Sequence, residues 1–339
     1  MGPRFSADPR ADSLHASAMV LDCLYPIHPR RELISPIGRG GVNAIHVTVG
    51  TTHHESFRAA VERVNLWLEF LDQYPQLIQL ARTATDIEHA HLEGRVAVVL
   101  GFQNSSPVED NPHLLRVLKE LGVRVLQLTY NERNLFGDGC TERQNSGLSD
   151  LGITFVSEMN RLAMLIDLSH AGERTALEAV EASSDPVIIS HACALGLHQN
   201  ARNVSDALIT AVAEKGGVIG ISMFPGFVSE KDGKDQTIDD YLDHIDYVVQ
   251  LAGAASVGIG TDLPDGKSEA DFQTPGGALG KGGYAWKADA YPAWPWTYAL
   301  PSIEGFPRIT EGLISRGYTD DEVRGILGLN FLRVFGQVW

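Results

Sequence analysis

The chain has 339 residues, 44% of them hydrophobic and 21% charged, enough to fill one large core or two average ones. A formal net charge of −16 leaves no basic footprint for nucleic acid or an anionic lipid surface, so the expected partner is a small molecule. Three cysteines, Cys23, Cys140 and Cys193, are odd in number and widely spaced with no CxxC, which argues against a disulfide framework and a thiolate zinc knuckle.

Along the chain, Met1 to His15 is polar and lacks the basic-then-apolar order of a secretory signal. No segment approaches the roughly 20 continuous apolar residues that span a bilayer. A soluble, cytoplasmic protein with no membrane partner is the expectation. Short apolar runs then alternate with longer amphipathic stretches, the pattern of a parallel sheet wrapped by helices. Eight runs read as strands: Ala18 to Leu24, Val42 to Val49, Arg95 to Phe102, Arg124 to Tyr130, Met164 to Ser169, Pro186 to His191, Gly217 to Met223 and Ser256 to Asp262. Between them, helices are expected over Glu55 to Gln73, Asn111 to Leu121, Ser149 to Ala163, Glu173 to Ser183, Ser205 to Lys215 and Thr237 to Ala252. Gly122, Gly216 and Gly253 each follow a helical pattern, where a left-handed terminal residue suits glycine. Lys267 to Pro301 has no strong periodicity and carries three of the five tryptophans; in a barrel such a segment lies over the mouth. With no repeat and no linker, the expectation is a single (β/α)8 TIM barrel over residues 1–339.

Two of the runs end in Ser-His: Asp167-Leu168-Ser169-His170 and Ile188-Ile189-Ser190-His191. The carboxyl ends of barrel strands are where this fold concentrates its chemistry. Adjacent strands lie about 4.8 Å apart, so two imidazoles there can share one metal about 2.1 Å from each nitrogen. A third candidate, Asp262, ends Val257-Gly258-Ile259-Gly260-Thr261-Asp262 and can accept a proton from water or bind the metal.

These strings, with Arg202-Asn203-Val204-Ser205-Asp206 and Asn330-Phe331-Leu332-Arg333-Val334-Phe335, fall in an order that resembles the membrane (renal) dipeptidases, the M19 metallopeptidases, over nearly the whole chain. The resemblance implies an amidohydrolase-type barrel, a homodimer, and zinc ligated by His170 and His191. It further implies that Asp262 handles the proton and that Arg202 holds the substrate carboxylate, a task suited to a bidentate guanidinium.

Three departures fall on one side of that site. Family members carry Asp-Gly-His-x-Asp after the first strand, whereas this chain reads Asp22-Cys23-Leu24-Tyr25-Pro26, and leucine and proline cannot ligate through their side chains. The family's bridging glutamate is Gln103, a neutral and weaker donor. The histidine that touches the scissile carbonyl is Tyr130, which can donate a hydrogen bond to an oxyanion. The expected centre therefore holds one divalent metal, zinc, on His170, His191 and Gln103. The expected activity is cleavage of an amide bond in a small carboxylate-bearing substrate such as a dipeptide. A single-metal lyase or isomerase, and a metal-free binding protein, are the competing readings. His46 and Cys23 stand near the mouth as a structural hydrogen-bonder and a buried filler, His28, His53 and His54 fall in expected loops, and Gly137 to Glu142 reads as a loop over the mouth.

Overall fold

A computed structural model describes residues 8–50, 55–231, 233–265 and 299–339. Most of the expected loop Lys267 to Pro301, together with His53 and His54, lies outside the described residues.

Eight parallel strands form the ring: β1 (Leu21–Asp22), β2 (Ala44–Thr48), then β4 (Val96–Phe102), β5 (Val123–Gln127), β6 (Leu165–Asp167), β7 (Ile188–Ala192), β8 (Val218–Ile221) and β9 (Val257–Ile259). A short strand, β3 (Ile78–Leu80), pairs with β4 off the ring. The ring closes where Cys23 N donates to Ile259 O at 2.8 Å and Asp262 N donates to Leu24 O at 3.0 Å. All eight expected strands are present and mostly shorter than expected, although β5 begins one residue earlier, at Val123, and β7 runs one residue further, to Ala192. β3 escapes the sequence pattern because three residues are too few to show a period.

Strand side chains divide into two apolar layers, as the period of two requires. Leu21, Cys23, Ala44, Ala97, Val99, Val125, Leu165, Ile188 and Val218 form an inner cluster. Phe331 and Phe335, on the helix Asn330–Val338, join that cluster. Asn330 Nδ2 donates at 2.7 Å to the carbonyls of Ala254 and Val257, which holds this helix across the amino-terminal end of the ring. The alternate residues, such as Ile45, Val47, Val98, Leu100, Ile166 and Ile219, pack outward against the helices.

The helices Phe57–Gln73, Asp150–Arg161, Glu173–Ala182, Asp206–Glu214 and Ile238–Ala252 match expectation within two residues. Ser56, Ser149, Ser205 and Thr237 each cap one through a side-chain oxygen that accepts a first-turn N–H. The stretch Asn111 to Leu121 instead divides into a 3-10 turn, Pro112–Leu114, and the helix Leu115–Glu120, because Pro112 has no N–H to extend a longer ladder backwards. Gly122, Gly216 and Gly253 all take positive φ. No described helix is long and apolar enough to cross a membrane.

Candidate active site

The carboxyl-terminal ends of β4 to β9 bring the expected residues to one mouth. His170 follows β6 and His191 lies within β7, and their Nε2 atoms stand 2.9 Å apart. His170 Nδ1 is 2.7 Å from Asn131 Oδ1, an acceptor, so Nδ1 carries the proton. His191 Nδ1 is 2.7 Å from Ser190 Oγ, whose own proton goes to Asp167 Oδ2, so His191 also donates from Nδ1. Asp167 is fixed in turn by the N–H groups of Ser169 and Ser190 and by Gln127 Nε2. With the proton on Nδ1 of both rings, the two Nε2 lone pairs face each other, an arrangement that a cation between them would stabilise.

This geometry fits one divalent ion, since 2.9 Å allows both nitrogens to reach a shared centre at about 2.1 Å. Gln103 Oε1, 3.2 Å from His170 Nε2, points a third donor at the same place. Among the described residues no group of three or more His, Cys, Asp or Glu side chains is arranged to hold a metal; the donors gathered at this point are two imidazoles and an amide oxygen. Burial, then the nearby Arg202 charge, pushes the His191 pKa well below its ordinary value and keeps it neutral, as a ligand must be.

Backbone strain aims the site. Of six described non-glycine residues with positive φ, three stand here: Asn131 at 62°, His170 at 65° and Asp262 at 57°. A left-handed residue costs on the order of 1 kcal/mol or more, and such outliers concentrate where a side chain must leave its strand in an unusual direction. Asp262 is half-buried and its charge raises the pKa of both Asp22 and Tyr130. The Tyr130 ring stacks on His170 with centroids 4.0 Å apart, and burial first, then Asp262, holds its hydroxyl protonated far above neutrality.

Arg202 is 2% exposed and lies under the Phe227 ring, 4.9 Å from its centroid. It makes one side-chain hydrogen bond, Nη2 to His191 O at 3.1 Å; its Nε is buried without a partner, and among the described residues it forms no ion pair. It lines a cavity of about 470 Å³ that also touches His170. A larger cavity of about 680 Å³ lies elsewhere, against His15, Arg39 and Pro307, and contains none of these residues.

Other residues sort as follows. Cys23 is fully buried in the inner cluster, and all three cysteines are free thiols. His46 Nδ1 is 2.6 Å from Cys23 O, and its buried Nε2, which has no partner, lies over Gly101. His28 is exposed. On the first-strand side, both Asp22 oxygens are taken, by the N–H groups of Leu24 and Thr261 and by the Thr261 hydroxyl, and Tyr25 OH donates to Asp265. The loop Gly137 to Glu142 does reach the mouth, where Cys140 N donates to His170 O. Sequence reasoning missed Asn131 as the partner of His170. Its signals were its place beside Tyr130 and the tolerance of asparagine for positive φ.

Fold and mouth together define a (β/α)8 barrel built around a buried histidine pair. The chain belongs to the membrane dipeptidase family, peptidase family M19, whose profile matches residues 32–272. It is similar to dipeptidase aclJ of Aspergillus oryzae, with 30% identity over 289 residues, covering 84% of this chain and 62% of that protein. Dipeptidase tcpJ of Claviceps purpurea is 27% identical over 288 residues, covering 84% and 61%. The chain thus spans about three fifths of the length of these relatives. Among solved structures, an amidohydrolase of Pseudomonas aeruginosa is 34% identical with a TM-score of 0.87, covering 97% of this chain and 99% of that one.

Proposed function

We propose that this barrel, as one domain over residues 1–339, is a metal-dependent amide hydrolase for a dipeptide or a similar small carboxylate. The observation that carries the reading is the pair of imidazole Nε2 atoms 2.9 Å apart, with Gln103 Oε1 beside them and each ring's other nitrogen tied to an acceptor. His170 and His191, with the Gln103 amide, would hold one divalent ion, zinc. When bound, such an ion supplies Lewis acidity: it makes water a stronger acid and polarises an amide carbonyl.

The remaining steps fall to the chain itself. Arg202 pairs with the substrate carboxylate through the guanidinium N–H groups that the protein leaves unused, which fixes the scissile amide relative to the mouth. Asp262 takes the proton from the attacking water and returns it to the leaving amine. Tyr130, held protonated, donates a hydrogen bond to the oxygen that gains charge as the carbonyl is attacked. The first-strand side, with Leu24 and Pro26 in place of ligands and with both Asp22 oxygens engaged, supports one ion rather than two. Free thiols support a cytoplasmic location, and the family resemblance supports a homodimer.

Release of amino acids from a dipeptide by zinc-loaded protein, its loss on chelation and its return with zinc would test the reading. Arg202→Met should raise KM at least tenfold with kcat within a few-fold. Turnover that survives exhaustive chelation would overturn it.

A further inference from the structure

The loop Gly137 to Glu142 reaches the mouth, yet the proposed chemistry uses none of its side chains. Its backbone meets Asn131 and His170 where those two residues are most constrained. Both hold positive φ, 62° and 65°, and their side chains meet at 2.7 Å. Two consecutive loop residues take the carbonyls of this pair. Cys140 N donates to His170 O at 2.9 Å, and Thr141 N donates to Asn131 O at 2.9 Å. The Thr141 hydroxyl donates to the same Asn131 oxygen at 2.7 Å, and the Cys140 thiol lies 3.4 Å from Asn131 Oδ1.

The loop is held at this close approach from several sides. A Cβ at Gly139 would stand 2.2 Å from the carbonyl carbon and oxygen of Asn131, so a larger residue would force the two segments apart. Gly139 forms an antiparallel bridge with Ala171, and Gly172 N donates to Asp138 O at 2.9 Å. The Asp138 carboxylate, 2% exposed, pairs with Arg133 and accepts Ser146 N. The loop is therefore tied to the segment that carries Asn131 and to the segment that carries His170.

Conformation gives these bonds their meaning. A left-handed non-glycine residue is sparsely populated and persists only where its surroundings over-determine it. Asparagine tolerates the state better than most residues but does not adopt it by default. Two donors on the Asn131 carbonyl fix the peptide plane that follows it, and with that plane the direction in which Oδ1 points. Loop closure alone needs one backbone bond; the hydroxyl on the same oxygen adds a second.

We propose that Thr141 is a positioning residue for the metal site. Its N–H and hydroxyl lock the left-handed Asn131, which holds Oδ1 against His170 Nδ1 and keeps the ring proton there, so that Nε2 is the nitrogen offered to an ion. This role rests on the metal site of the hydrolase reading, but the tautomer it requires is observable without metal.

Thr141→Val keeps the shape and the N–H and removes the hydroxyl, and Thr141→Ser restores the hydroxyl. In a zinc competition titration with a chromophoric chelator, Thr141→Val should bind about threefold to tenfold more weakly than wild type, the effect of one hydrogen bond, while Thr141→Ser stays within about twofold. The same Thr141→Val exchange made in the Asn131→Ala protein should change affinity by less than about twofold, because the contact it supports is already gone. In metal-free protein with isotopically labelled histidine, the nuclear magnetic resonance signals of His170 are identified by their loss in His170→Ala. They should report a proton on Nδ1 in wild type and Thr141→Ser, and a mixture of tautomers in Thr141→Val. Unchanged zinc affinity in Thr141→Val, an equal loss with and without Asn131, or an unchanged tautomer overturns the proposal. The tautomer change without zinc uptake by any of these proteins would leave the hold of Thr141 on Asn131 and His170 standing and remove the hydrolase reading.

Discussion

Asp22 offers the most quantitative test of how the barrel seam is built. The residue is fully buried where β1 meets the end of β9, and burial raises its pKa from 3.8 to about 7 despite hydrogen bonds from Thr261 and Leu24, with the Asp262 charge adding to the rise. A carboxyl whose pKa is raised by folding keeps its proton in the native state between about pH 4 and 7 while the unfolded chain has lost it. The native state then binds more protons, and stability must fall as pH rises through that window and level off above it. The slope is at most about 1.4 kcal/mol per pH unit, and the gap of about three units corresponds to on the order of 4 kcal/mol. Asp22→Asn keeps the shape, its Oδ1 can still accept from the backbone, and its amide can donate to the Thr261 hydroxyl, but it does not titrate. In urea denaturation of metal-free protein, the variant should gain about 2 kcal/mol or more on wild type between about pH 5 and pH 8. A difference that does not vary with pH, or that runs the other way, would refute this account of the seam.

Other outcomes follow from the same contacts. A Cβ at Gly101 would stand 2.1 Å from His46 Nε2 and 2.8 Å from the Val125 carbonyl, so Gly101→Ala should cost about 2 kcal/mol or more in thermal denaturation; a loss below about 0.5 kcal/mol would contradict the packing. Asn131→Ala and Ser190→Ala remove the acceptors that orient the two imidazoles, and each should weaken zinc affinity roughly 10- to 100-fold in a competition titration with a chromophoric chelator, while unchanged affinity would dismiss their orienting role. Burial lowers the pKa of His15, His46, His191 and His244, so the unfolded chain takes up protons first as pH drops below about 6.5. That contribution to stability should be lost on acidification, and replacing His244, which is remote from the pair, should remove part of it.

The ring of strands was legible because a parallel sheet buried on both faces writes near-continuous apolar runs, and because glycines such as Gly122 and Gly216 mark the helix ends. The mouth was legible where a polar residue coincides with a strand end, as at His170, His191 and Asp262. What the sequence hid was mostly three-dimensional. Nothing local shows that Asn131 reaches His170 across the mouth, that Asp167 acts on His191 only through Ser190, or that Arg202 and Asn203 each keep a buried polar atom without a protein partner. The short β3 and the division at Pro112 escaped because local periodicity carries little information over three to six residues.

The central claim is that His170 and His191 share one divalent ion. Metal content by inductively coupled plasma mass spectrometry, on wild type purified without chelator and on His170→Ala, tests it most directly. The account predicts close to one equivalent in wild type and almost none in the variant. Two equivalents in wild type, or no uptake even after reconstitution with zinc, would contradict it.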